Sequence, residues 1–166
     1  MSADDASDSA RGLAALVAKM KAGHVQTLVC VGANPAYDAP GDLDFAAAWA
    51  KVPNTVTLSV EASETAAAST WALNGAHYLE SWGDAIDARG VLSPVQPVIA
   101  PIYEPALSEL EFLTLLGSAD IGHAAVSGHQ IVRDHWRTGL RVGGTDFEKA
   151  WRRALHDGVL AGTGGP

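Results

Sequence analysis

The chain has 166 residues, a formal net charge of −8 and a single cysteine, with 48% of its residues hydrophobic and 18% charged. That length and composition suit one packed domain burying roughly 70% of its unfolded surface, and exclude a wholly disordered chain or a disulfide-stapled miniprotein. The acidity excludes a phosphate-backbone partner, so no nucleic acid is expected, and no apolar run approaches the ~20 residues of a membrane span.

Residues 1–8 are small and acidic. They carry no positive n-region and no apolar h-region, so they predict a disordered leader and not a secretory signal. A helix is expected from Ser9, with Leu13, Leu16, Val17 and Met20 on one face and Gly23 at its end. Thr27 to Val31 is a short apolar run that ends at Gly32 and breaks through Asn34-Pro35, the entry to a βα unit. A helix over Asp42 to Lys51, a strand over Thr55 to Val60 and a short helix over Glu64 to Thr70 follow, the last capped by Ser63. Two strands joined through a helix-length segment imply a parallel crossover, with Cys30 buried.

Trp71 to Leu73 is expected as a third strand, with Asn74-Gly75 as a tight turn. His77 to Pro105 reads as largely irregular, because prolines at 94, 97, 101 and 105 exclude a helix and discourage a central strand. Ser108 to Glu111 is a capping box opening a helix through Leu116. A further helix is expected over Gly128 to Arg137. Thr145 to Glu148 forms a second capping box, opening a last helix that ends at Gly158. The whole is expected as a three-layer α/β, Rossmann-like domain with a small parallel sheet over residues 9–160, followed by a flexible tail over 161–166.

Most chemistry-bearing residues carry weak signals. His77, Glu80 and Asp84 lack a third imidazole or thiol at ligand spacing, so no metal site is assigned to them. His123, His129 and His135 recur every six residues, which points them to different helix faces. Arg133, Arg137 and Arg141, with Arg152 and Arg153, read as a solvated helix face. No G-x-S-x-G elbow, P-loop or G-x-G-x-x-G fingerprint is present. The one site-like arrangement joins Gly32, Asn34 and Pro35 with Glu64 and Thr65. Each group follows a strand end, where parallel sheets bind ligands. Backbone N–H groups at both places would cradle a phosphate, with Asn34 and Thr65 as neutral donors and Glu64 as an acceptor for a ribose hydroxyl or guanine edge.

The ordered series Gly32-x-Asn34-Pro35, Glu64-Thr65-Ala66, Glu80-x-x-Gly83 and Arg89-Gly90 resembles the molybdopterin oxidoreductase superfamily, in the domain that grips a pterin guanine dinucleotide. The nearer likeness is to the large iron–sulfur/molybdopterin-like subunit of bacterial alternative complex III. It rests on Gly32 to Phe45, Glu64 to Ala66, Ala76 to Asp84, Val95 to Tyr103 and Trp151 to Gly158.

Relatives usually place an aspartate five residues before the Glu-Thr pair, where this chain has Ser59, and commonly read Leu-Pro at Leu73-Asn74. The family's metal ligand and cluster cysteines lie on segments not present here. The resemblance therefore implies a non-catalytic domain of a respiratory electron-transfer subunit, not an enzyme on its own, with a structural and docking role and a vestigial nucleotide edge. It further implies no resident cofactor beyond weak guanine or pterin nucleotide binding. Its partners would be other domains or subunits of a respiratory complex, with weak self-association, and such assemblies often sit on the outer face of the bacterial inner membrane. Two alternative readings are a working guanine or pterin dinucleotide-binding domain of a molybdenum oxidoreductase and a small stand-alone hydrolase.

Overall fold

A computed structural model of the chain describes residues 3–118, 127–140, 142 and 146–163. It is an α/β protein that divides into two compact units, Met1–Gly75 and Ala76–Pro166.

The first unit is built on a three-stranded parallel sheet in the order β1-β2-β3, with β1 at Thr27–Val31, β2 at Asn54–Ser59 and β3 at Trp71–Asn74. Cys30 lies opposite Thr57, and Thr57 opposite Ala72. β1 and β2 are thus adjacent and parallel, as their β-branched runs and intervening segment predict. Helix α1 (Ala3–Lys21) starts earlier than the expected Ser9, since extending a nucleated helix costs little. It brings Val17 and Met20 against Cys30, Phe45, Ala48, Trp49 and Val52, with Leu28 packed alongside. This core sits on the sheet face that Leu28 and Cys30 share, and Cys30 is buried within it.

The single helix expected over Asp42 to Lys51 is instead three short pieces. They are α2 (Pro35–Asp38), a 3₁₀ turn (Gly41–Leu43) and α3 (Phe45–Trp49). The break is at Asp44, which stands in the left-handed region at φ 50° and stops helical continuation. Helix α4 (Glu64–Ala67) is shorter than expected, but its cap is as read, with Ser63 Oγ accepting from the Ala66 N–H at 3.1 Å. Asn74-Gly75 is not a tight turn. Gly75 prolongs the ladder by donating to Ser59 O at 2.8 Å, so close that a Cβ there would lie 2.9 Å from the Ser59 carbonyl carbon.

The second unit opens with an antiparallel hairpin that the proline content concealed: β4 (Gly83–Ile86) and β5 (Leu92–Val95). Pro94 is tolerated because a two-stranded sheet has only edges. Asp87 closes the hairpin, its carboxylate accepting from the Arg89 and Val91 N–H groups at 2.8 and 2.9 Å.

Helix α5 (Glu109–Gly117) carries the full predicted capping box of Ser108 and Glu111. Helix α6 (Gly128–Asp134) runs into a π-helical stretch (His135–Gly139), and α7 (Phe147–Asp157) ends at Gly158 with φ 74°. The second expected capping box opens on Thr145, which lies outside the described residues; its Glu148 pairs with Arg133 and Arg137. Leu92, Val132, Trp136, Phe147, Trp151 and Ala154 form this unit's core. Among the described residues no helix is long and apolar enough to cross a membrane.

Candidate functional site

The fold brings Asn34 and the start of α4 into direct contact through the parallel pairing of β1 and β2. Gly32 follows β1 with φ 61°, a backbone region that glycine enters without a steric penalty, and turns the chain so that Asn34 precedes α2. Asn34 Oδ1 accepts from both the Thr65 N–H (3.1 Å) and the Thr65 hydroxyl (2.8 Å). Thr65 Oγ1 in turn accepts from the Ala36 N–H at 3.0 Å. The Asn34 amide nitrogen donates to Glu64 Oε2 at 2.6 Å. Pro35 fills the first helical position of α2, where a missing N–H costs nothing. Asn34, Glu64 and Thr65 are thus joined in one hydrogen-bonded cluster, flanked along the chain by Gly32 and Pro35, and Thr65 at its centre is fully buried.

What the cluster does with its hydrogen bonds differs from an open anion cradle. The N–H groups of Ala36, Thr65 and Ala66 already have acceptors within the chain, and the Gly32 N–H donates to Leu58 O at 3.1 Å. A phosphate entering here would have to displace the Asn34 side chain. α4 is a single turn, so its dipole is small compensation. The Asn34 amide, with the residue's own backbone N–H, holds the exposed Glu64 carboxyl below the usual carboxylate range, so it stays ionised and acts as a negative neighbour to any anion. The Cys30 thiol is pushed up by burial, which makes it a poor nucleophile.

Beside the cluster, past the carboxyl ends of β2 and β3, an open groove of about 290 Å³ runs along α4. Ser59, Glu61, Ser63 and Asn74 supply its polar lining, and alanines most of the rest. Small-molecule pockets run from roughly 300 Å³ upward, so this one admits a base or a sugar and is small for a dinucleotide. Ser59 lines it and donates its hydroxyl to Glu61 O at 2.8 Å. The alanine floor gave no signal in the sequence, since alanine is also the commonest helix residue.

Other candidates fall on the second unit. Glu80 Oε2 accepts from the His77 N–H at 3.2 Å, closing a local turn, while Asp84 accepts from the Trp136 indole N–H at 2.8 Å. Glu80 precedes β4, which Gly83 opens, and Arg89 and Gly90 sit in the hairpin loop. His129 packs against Trp82 and Trp151, ring centroids 4.6 and 5.9 Å away. His123 lies outside the described residues, as does Arg141. Arg133 and Arg137 lie over the Phe147 ring as well as against Glu148. Among the described residues no group of three or more His, Cys, Asp or Glu is placed to hold a metal ion. Tyr78, Val98, Ile102 and Tyr103 are large apolar residues left mostly exposed on this unit.

No protein-family model matches the chain, and no curated protein is significantly similar to it.

Proposed function

We propose that the chain is a non-catalytic α/β domain of a molybdopterin-oxidoreductase-like respiratory subunit, in which the nucleotide-gripping edge has become a structural latch. One observation carries this reading: the Asn34 side chain, the Thr65 N–H and hydroxyl and the Ala36 N–H, groups that could face a dinucleotide phosphate, are bonded to one another. Ser59 in place of an acidic residue removes a charged acceptor for guanine or ribose, a bond worth roughly 1.5–3 kcal/mol. The docking role takes its support from exposed Tyr78, Val98, Ile102 and Tyr103, an apolar set of the kind that marks contact surfaces.

A second reading, a working guanine or pterin nucleotide domain, is favoured by the groove at the strand ends, with Ser59 and Asn74 on its wall. A thermal-shift screen with GDP, GMP and reduced pterin nucleotides separates the two. Any ligand that binds only the folded state must raise the midpoint. The latch reading expects no shift at millimolar nucleotide, and a concentration-dependent rise of several degrees would replace it with the second.

A further inference from the structure

Asparagine is thermolabile because its side-chain carbonyl can be attacked by the backbone nitrogen of the next residue. Each of the chain's three asparagines meets that neighbour differently. Asn34 precedes Pro35, which has no N–H to deprotonate, and its amide is bonded to Glu64 and Thr65. Asn54 precedes β-branched Thr55, whose bulk obstructs the approach, and its Nδ2 donates to Gln26 O at 3.1 Å. Asn74 precedes Gly75, which has no Cβ in the way. It is exposed on the wall of the α4 groove, and among the described residues nothing hydrogen-bonds its side chain.

The fold holds this reactive pair closed. Asn74 is the last residue of β3, opposite Ser59, and an extended residue turns the following nitrogen away from its own side-chain carbonyl. The Gly75 N–H donates to Ser59 O at 2.8 Å, so its proton is held in the ladder. A Cβ at Gly75 would lie 2.9 Å from the Ser59 carbonyl carbon, and so close an approach leaves the Gly75 backbone little room to rotate while paired. The next N–H, of Ala76, donates to Leu107 O at 2.8 Å and holds the chain beyond. Only when the end of β3 leaves β2 can the Gly75 nitrogen swing toward Asn74 Cγ.

We propose that Asn74-Gly75 is a site of spontaneous deamidation gated by the β2–β3 ladder, and that its isoaspartyl product keeps the gate from closing again. Hydroxide takes the Gly75 amide proton, the nitrogen attacks Asn74 Cγ, and ammonia leaves as a cyclic imide forms. Water then adds at either imide carbonyl and opens the ring to aspartate or isoaspartate. In sum, a side-chain amide and water become a carboxylate and ammonium. Aspartate leaves the main chain unaltered. Isoaspartate routes the main chain through Cβ, which lengthens it and moves the Gly75 N–H off Ser59 O. Either product adds a carboxylate to the groove that Glu61 already lines.

The test follows amide loss by peptide mapping, with the acetylated, amidated peptide Ala-Leu-Asn-Gly-Ala in the same buffer as the ungated reference. Asn74 in the native chain should deamidate about ten- to a hundredfold more slowly than the peptide, and Asn34 and Asn54 not measurably. Urea below the unfolding transition should close much of that gap, because it favours local opening. The isoaspartyl chain, separated from the aspartyl form by chromatography, should melt below Asn74→Asp, whose main chain is unaltered. Equal rates in chain and peptide would show that the ladder is no gate, and overturn the proposal. Protection that sub-denaturing urea leaves unchanged would mean that β3 opens only with the whole protein, and overturns it as well. An isoaspartyl chain as stable as Asn74→Asp contradicts the claim that the product keeps the gate open.

Discussion

Thr65 shows how much one hydroxyl can be asked to do: fully buried, it donates to Asn34 and accepts from the Ala36 N–H at once. Thr65→Val keeps the shape but leaves the Ala36 N–H without its acceptor and takes one of two donors from Asn34 Oδ1, and should cost about 1–3 kcal/mol in urea unfolding. An unchanged midpoint would mean that the latch is not under strain of desolvation. The sequence made Asn34, Glu64 and Thr65 conspicuous by residue type and position after strands. It did not reveal that they satisfy one another, because the same donors serve equally well in a ligand cradle, and only the distances decide.

Charge at the residue scale also sets acid stability. Glu64 is held below the ordinary range chiefly by Asn34, Asp87 by the Val91 N–H and Arg89, and Asp157 by His156 and Arg153. A carboxyl depressed on folding contributes stability above its unfolded pKa and loses it as pH falls through the folded value. Urea midpoints should therefore fall as pH drops below about 4, where ordinary Asp and Glu begin to protonate. A midpoint that rises on acidification would contradict these pairings.

At the level of elements, legibility followed how local the signal was. β1 was read to its ends, and the Ser63 and Ser108 caps were read correctly, since a capping serine and the amide it accepts lie three residues apart. The helix over Asp42 to Lys51 was overdrawn because periodicity carries no trace of Asp44 at positive φ. The β4–β5 hairpin was hidden by Pro94, which argues against central strands and says nothing against edges. Asp87 and Gly90 were the available signal, an Asx turn closing five residues between two short apolar runs. Asp87→Ala should speed amide hydrogen exchange at Val91 and across the hairpin, while leaving the exchange of β1 and β2 amides unchanged. Equal protection in the variant would show that the hairpin is held by packing alone.

For the whole molecule, each compact unit has a core of its own, one around Trp49 and Met20, the other around Trp136 and Trp151. The parallel α/β character was legible because strand–helix–strand order restricts topology strongly. The functional reading was not legible in the same sense, since it rests on a resemblance and on one polar cluster. Its central claim is that the edge from Gly32 to Tyr37 with Glu64-Thr65 is a latch and no longer a nucleotide grip. Isothermal titration of GDP into the native chain and into Ser59→Asp tests this most directly. The account predicts no measurable heat from the native chain, and at most weak binding, gained by about tenfold, when the acidic acceptor is supplied. Micromolar binding by the native chain, lost in Asn34→Ala, would contradict it and return the site to a working nucleotide domain.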